Sequence, residues 1–356
     1  MLGTEKIHGI LEKYDKNNLS IATACSHSAL QIFNGARKEG LHTIGIDKDR
    51  RKVYDAFPLG RPDEYLHIEN YSDMLKKDFE KSLIEKNAIV VPHGSFVEYM
   101  GAENFLDFEV PTYGNRKVLI WESDREKEMM WLKDAGLDIP KIIDDPEDID
   151  RPVIVKYHGA KGGKGFFVAR SKEEYEKRVK EEPHLIQEFV MGTRYYLHYF
   201  YSPIMKSGYK MKRGSLQLLS IDRRDETTID EVQRIGSINE LEEVGIYPTF
   251  VVTGNMPIVI RESLLPQVFK MGEAVVDKSY ELFGGLVGPF CLETVVDDNL
   301  NFKTFEISAR IVAGTNIYSG GSPYTEYIQP GLSTGQRIAQ EIKYAAENNL
   351  LDEIIS

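Results

Sequence analysis

An α/β chain is predicted here, with a parallel-stranded N-terminal unit followed by a larger part of mixed strands and helices. Three observations predict it. Short apolar runs alternate with helical patterns between residues 20 and 91. Two His/Ser clusters, CSHSA and PHGS, end two of those runs at equivalent places. Further on, a loop rich in glycine and lysine, GAKGGKG (159–165), lies between two strand-like runs.

The elements follow in order. Ser20 to Ala24 (SIATA) reads as a strand, SALQIFNGARKEG as a helix closed by Gly40, and HTIGID as the next strand. Asn87 to Val91 (NAIVV) is a third strand. Strand, loop, helix, strand makes a parallel sheet, and ligands of such sheets sit beyond the carboxyl ends of the strands. Ser26, His27 and Ser28 lie at one such end; His93, Gly94 and Ser95 lie at another. These residues read equally as turn-formers and helix caps or as two halves of one site. ESDREKEMMWLKDAG (122–136) is a helix ended by Gly136, and the acidic DDPEDID (144–150) is a surface connector. The main boundary is placed near residue 122. Strands and helices then alternate through VIVKYHG, GFFVARS, SKEEYEKRVKEE, HLIQEFV and RYYLHYFYS, and SLQLLSID, TFVVTGN and MPIVI continue as strands. A long helix covers residues 262–283, the strands VGPFCLETVV and FKTFEISARI follow, and STGQRIAQEIKYAAENN is the last helix.

Composition narrows the function classes. With 356 residues, 42% of them hydrophobic, the chain can build two or three packed units. A formal charge of −12 argues against a nucleic-acid binder, which shows a basic face. Cys25 and Cys291 are the only cysteines, which fits a reducing cytoplasm. MLGTEKIHGILEKYD reads as a short amphipathic helix and not as a secretory leader. No apolar run approaches the ~20 residues needed to span a bilayer. Disulfide-framework, zinc-ribbon and membrane classes drop out, and a cytoplasmic location is expected.

Three patterns carry chemistry. GAKGGKG fits neither the phosphate loop G-x-x-x-x-G-K-[ST] nor the dinucleotide fingerprint that opens a helix. It reads as a hairpin loop whose glycine N–H groups can line an anion site. Lys161 and Lys164 add charge, and Lys156 sits on the strand leading in, as in nucleotide sites where a strand lysine meets a glycine flap. A solvated basic loop is the other reading. The second pattern, Gln187-Glu188-Phe189-Val190, can read an adenine edge or can be a half-exposed strand. The third is Glu293 in CLET and Glu306 in FEISAR, on two strands joined by the turn DDNLN. Counting back from the turn puts the two carboxylates within reach of each other across a hairpin. That arrangement costs stability unless a cation such as Mg²⁺ neutralises it. A slip of one residue moves both to a solvated face. Ser308 and Arg310 follow within reach of metal and phosphate.

In this order, strand lysine with glycine flap, glutamate hinge, then paired glutamates before an E-x-[NS]-x-R-like ending, the patterns resemble the ATP-grasp superfamily. CSHSALQI, VVPHGSF, YGNR, GAKGGKGFF, HYFYSP, VTGNMPIVIRESLLPQVF, GPFCLET and FEISAR are further similar to the archaeal purine-biosynthesis ligases that formylate AICAR (5-aminoimidazole-4-carboxamide ribotide) with formate and ATP. The similarity spans nearly the whole chain. It implies a Rossmann-like pre-ATP-grasp domain over residues 1–122 and an ATP-grasp domain over 123–356, the latter with a glycine-flap lobe (about 123–202) and a metal-binding lobe (about 203–356). It also implies a homo-oligomer. His27, Ser95 and Asn255 would contact AICAR. Lys156, Gly162, Gly163, Gly165, Glu188, Val190 and Glu226 would bind ATP. Glu293 and Glu306 would hold Mg²⁺, with Mn²⁺ as an alternative ion. Lys156, Arg310 and His27 would act in catalysis, His27 either as a base toward the amine or as a contact to the substrate phosphate. Cys25 stands where the family has glycine, Ser308 stands where the pattern has asparagine, and the loop after SAR, IVAGTN, carries less glycine. A paralogous carboxylate–amine ligase and a non-catalytic nucleotide-binding regulator are the competing classes.

Overall fold

The computed structural model describes residues 4–157, 165–227 and 251–356. Gly162 and Gly163, with Lys161 and Lys164, lie outside the described residues.

The N-terminal unit runs α1 (Thr4–Leu11), β1 (Ser20–Ala24), α2 (Ala29–Lys38), β2 (His42–Asp47), α3 (Arg51–Asp55), β3 (Glu64–His67), α4 (Lys77–Ile84) and β4 (Ala88–Val90). Its four strands pair in parallel in the order β3-β2-β1-β4. β1 is central and buried along its length, as its unbroken apolar run requires. β3 was not among the expected strands, because EYLH is too short to show an alternation. The short helices α5 (Phe96–Met100) and α6 (Ala102–Leu106) lead to α7 (Val118–Ser123) and α8 (Arg125–Asp134).

One helix was expected from residue 122, but two form. Asp124 is extended at φ −105°, ψ 112°, and its side chain accepts from the N–H groups of Glu126 and Lys127 at 3.0 and 3.2 Å. Asp124 therefore caps α8 and breaks it from α7.

A three-stranded antiparallel sheet follows, β6-β5-β7, from β5 (Val153–Tyr157), β6 (Phe166–Ala169) and β7 (His184–Glu188), with α9 (Lys172–Arg178) between the last two. β5 and β6 pair as the hairpin predicted around GAKGGKG, and the Tyr157 N–H donates to Gly165 O at 3.0 Å to extend it. Gly165 itself is left-handed at φ +80°, a conformation that favours glycine.

The large sheet contains β8 (Thr193–Ser202), β9 (Tyr209–Lys210), β10 (Ser215–Glu226), β11 (Val252–Pro257), β12 (Gly288–Val296) and β13 (Phe302–Ser308). It runs antiparallel in the order β11-β10-β8-β12-β13, with β9 on β10. Two strands were expected where β11 lies; one forms, and it runs through Gly254 and Asn255. Beyond it the chain leaves the ladder, and the Ile260 N–H goes to the Tyr324 hydroxyl at 3.0 Å. The helix expected from residue 262 opens as a 3₁₀ turn, Glu262–Leu264, before α10 (Leu265–Phe283). α10 covers the back of the sheet, where the Tyr199 hydroxyl donates to Val268 O.

The last helix, α11 (Thr334–Glu347), returns to the N-terminal unit and crosses α2. The crossing is close because both helices carry glycine there. A Cβ on Gly335 would lie 2.2 Å from Gln31 O, and one on Gly35 would lie 2.2 Å from Gln336 N. One core therefore joins Ile7 and Leu11 near the start of the chain to Ile338, Ile342 and Ile355 near its end. α11 also grips the large sheet, as Arg337 donates to Glu341 and Gln217 at 2.7 and 2.8 Å and the Ser202 hydroxyl donates to Glu341. Among the described residues, no helix is long and apolar enough to cross a membrane. Gly335→Ala forces backbone apart at this crossing and is expected to destabilise by about 2 kcal/mol or more, read by chemical denaturation.

Candidate active site

Residues directly paired across an antiparallel sheet share a face. In the large sheet this rule gathers most of the chemistry on one side. Tyr196 pairs with both Asp222 and Glu293, Arg224 pairs with Asn255, and His198 pairs with Cys291, which pairs with Ser308. Glu293 stands directly opposite Glu306, a facing that the count back from the DDNLN turn does not give by itself, since the pairs nearer the turn, such as Thr294 with Thr304, are offset from it by one residue. The register shifts immediately after this pair.

Each glutamate has its own cation. Arg224 holds Glu293 with a fork of 3.0 and 2.6 Å, and its guanidinium lies 3.7 Å from the Tyr196 ring centroid. Arg125, from the first turn of α8, reaches Glu306 at 3.1 Å. Burial works to raise the Glu306 carboxyl, but Arg125, Lys156 and Arg224 together overcome it and hold it below the usual carboxylate range. For Glu293 burial wins, Arg224 offsets only part of it, and the carboxyl is raised. The facing pair is thus polarised, with one carboxyl stabilised as the anion and the other pushed toward the acid.

Lys156 extends from β5 over the Phe305 ring at 5.4 Å. Burial lowers its ammonium below the ordinary lysine range, with Glu306 opposing most strongly. The end of β13 is fastened to the α7–α8 segment. Glu128 accepts from the Ile307 N–H at 2.8 Å, and Glu122 accepts from the Ala309 N–H at 2.6 Å and from Arg310 Nε at 3.2 Å. Burial raises both carboxyls, Glu128 well above its usual value, with Glu306 adding to the effect on Glu128.

The second part of the site comes from the parallel sheet. His27 is left-handed at φ 50°, a cost of about 1–3 kcal/mol for a non-glycine residue, of the kind that gathers at functional positions. Its ring stacks on His93 at 5.3 Å with planes 6° apart. Gly94 makes this fit possible, because a Cβ there would lie 2.5 Å from His27 Nε2. His93 is buried with its tautomer set by the backbone: Nε2 donates to Ala24 O at 3.0 Å, and Nδ1 accepts from the Ser95 N–H at 3.3 Å. Burial lowers His93 to about 4. Burial, then His93, Arg310 and Arg224, lower His27 to about 2. Arg224, which also holds Glu293, and Arg310 both act against a proton on the His27 ring. The loop after β13 makes the connection: Ile311 bridges His93, and Asn316 donates to His27 O at 3.2 Å.

The remaining residues are engaged as follows. Glu188 accepts from the Lys141 N–H at 3.2 Å and faces Lys303 and Arg151 at 3.5 and 3.6 Å, while Val190 is half-buried just beyond β7. Glu226 is held by Arg194 at 2.8 and 3.0 Å. Asn255 donates to Asp222 at 2.6 Å. Cys25 packs in an apolar cluster with Ala29, Phe33 and Tyr54, so this departure from the family pattern is absorbed in the core. Sequence reasoning missed Arg224, Arg125, Glu122, Glu128, Asp222 and His198. The alternation Asp222, Arg224, Glu226 along β10 was a usable signal. For Arg125 no local signal exists, because its partner lies 181 residues away.

A lysine strand beside a glycine hairpin, a glutamate-bearing third strand, and facing glutamates on a large antiparallel sheet behind a parallel N-terminal sheet define an ATP-grasp ligase. The chain matches the families described as "Protein of unknown function (DUF1246)" over residues 21–143 and "Domain of unknown function (DUF1297)" over residues 169–356. It is 59% identical over 358 residues to the 5-formaminoimidazole-4-carboxamide-1-(beta)-D-ribofuranosyl 5'-monophosphate synthetase of Methanococcoides burtonii, covering all of both chains. Against the enzyme of the same name from Methanocaldococcus jannaschii, identity is 43% over 373 residues, again covering both chains fully. Its fold is similar to that of the IMP biosynthesis protein PurP from Thermococcus kodakaraensis, with a TM-score of 0.74, 31% identity, and 94% and 100% of the two chains covered. The N5-carboxyaminoimidazole synthetase of Staphylococcus aureus shares the fold at a TM-score of 0.63 and 14% identity, over 93% of this chain and 79% of that one. The chain belongs to the 5-formaminoimidazole-4-carboxamide ribotide (FAICAR) synthetase family.

A histidine whose folded pKa is lowered binds fewer protons than the unfolded chain, so stability falls as pH drops below the ordinary histidine value near 6.5. For His93 that loss extends down to about pH 4. His93→Gln is expected to flatten the fall in stability between about pH 6.5 and 4 relative to the parent chain, measured by denaturant midpoints across pH.

Proposed function

We propose that the chain converts AICAR, formate and ATP to FAICAR, ADP and phosphate in the route to IMP. Formate is a poor electrophile because its charge is delocalised. Transfer of the γ-phosphoryl group to a formate oxygen gives formyl phosphate and ADP. The AICAR amine then attacks the formyl carbon, phosphate leaves, and the amine proton is lost. The full-length similarity to synthetases of this name, together with the facing Glu293–Glu306 pair, supports this reading most directly.

The donor set fits Mg²⁺. Glu293 and Glu306 present two carboxylates, and no group of three His, Cys, Asp or Glu able to hold a metal occurs among the described residues. An ion that needs few protein ligands and completes its shell with phosphate oxygens and water suits such a pair. When bound, it neutralises phosphate charge and orients the γ-phosphoryl group. Arg125 and Arg224 hold the two carboxylates in this structure, and beside a bound ion their guanidinium groups would be able to meet nucleotide oxygens. Lys156 and Arg310 add positive charge where phosphoryl transfer needs positioning more than covalent help. In this reading, closure of the glycine loop between β5 and β6 would exclude water from the labile acyl phosphate.

The low basicity of His27 makes it a poor proton acceptor and supports a hydrogen-bonding role toward AICAR, alongside Ser95 and Asn255. Glu226, Glu188, Val190 and Gly165 are assigned to the ATP side, where Arg194 and Lys303 hold the two carboxylates in place. Division near residue 122 follows the α7–α8 segment that links the two parts. A homo-oligomer and a cytoplasmic setting accompany this reading.

Incubation with ATP, Mg²⁺ and AICAR, with and without formate, tests the function. The expected result is formate-dependent ADP release and a ribotide heavier by one formyl group. ADP release indifferent to formate overturns the donor assignment and indicates another carboxylate. Glu306→Gln is expected to lower Mg²⁺-dependent turnover by at least about 100-fold, measured as kcat at saturating nucleotide; full activity overturns the metal assignment.

A further inference from the structure

On the glutamate face itself, further along the sheet, lies a buried polar group that the mechanism above does not use. Asp222 is 0% exposed and His198 is 2% exposed. His198 Nε2 meets Asp222 Oδ1 at 2.6 Å, and Asn255 Nδ2 meets Asp222 Oδ2 at 2.6 Å. The backbone of Gly314, in the loop after β13, closes over the carboxylate: a Cβ there would lie 2.4 Å from Oδ1. Asp222 therefore cannot rotate away, and both of its oxygens are occupied.

A carboxylate only accepts hydrogen bonds, whereas an amide has a donor end and an acceptor end. The end of Asn255 that faces Asp222 must be the NH₂ group. This turns Oδ1 of Asn255 outward, where it takes no hydrogen bond from a described residue. Asn255 pairs with Arg224 and so stands next to the Glu293 contact on the site face.

We propose that Asp222, anchored by His198, is a positioning residue that locks the Asn255 carboxamide as an acceptor, so that the site selects a ribotide offering an N–H at that point. The inference rests on the reading that Asn255 meets AICAR, and it makes the carboxamide N–H, absent from a carboxylate analogue, the recognised feature. A site built to accept an N–H rejects an analogue that presents only acceptors, because two lone pairs then face each other.

The test compares Kd for AICAR with Kd for the analogue carrying a carboxylate in place of the carboxamide, by calorimetry on the full chain, with ADP affinity as a control. Asp222→Asn keeps the side-chain shape but can donate as well as accept, so the Asn255 amide can turn over. The expected result is a fall of at least about tenfold in the preference for AICAR over the analogue, with ADP binding unchanged. A merely structural role weakens both ribotides together, and an unchanged ratio overturns the proposal. If Asp222→Asn does not fold, His198→Gln loosens the same anchor and must shift the ratio in the same direction; no shift again overturns it. Failure of the parent chain to bind either ribotide removes the underlying reading, and this proposal with it, before any variant is compared.

Discussion

Two carboxylates facing each other across the last two strands of the large sheet are the constraint around which the site is arranged. Glu293 and Glu306 pair in register, and Glu293 is only 3% exposed. Unpaired buried charge costs several kcal/mol, and removing one partner of a buried ion pair costs about 3–5 kcal/mol. The surrounding structure is therefore obliged to supply cations. It does so from different parts of the chain: Arg224 from β10, Arg125 from α8 and Lys156 from β5. Each of these positions matters to the fold through the charge it neutralises.

The charge pattern extends along β10. Asp222, Arg224 and Glu226 share one face, and each is matched by a hydrogen-bonded partner, His198, Glu293 and Arg194. Such a ladder pins the register of neighbouring strands, since a slip of one residue sends every member to the other face. The same face thus serves specificity of pairing and chemistry together.

The site also depends on how the two parts of the chain are joined. α7 and α8 fasten the end of β13 through Glu122 and Glu128, and the loop beyond β13 rests on His27 and His93. α11 crosses α2 at a pair of glycines and grips the large sheet through Arg337 and Glu341. The carboxyl ends of the parallel strands and the glutamate face are held as neighbours by packing at both sides of the connection.

Local pattern alone determined much of this protein. Apolar runs and helical periods located β1, β2, β4, α2 and the β12–β13 hairpin. Counting back from the DDNLN turn brought Glu293 and Glu306 within reach of each other, but the one-residue register shift beside the pair is what sets them directly opposite. The order of motifs carried the superfamily and family resemblance. What only the tertiary structure decided is which charges meet. Arg125 and Glu306 are 181 residues apart, and Arg224 and Glu293 are 69 apart. Ion pairs have no period, so nothing in the spacing announces them. The split of the helix at Asp124, the single strand through Gly254 and Asn255, and the Asp222–His198 anchor likewise follow from capping and burial. Those depend on what the rest of the chain brings alongside, and not on the residues next in sequence.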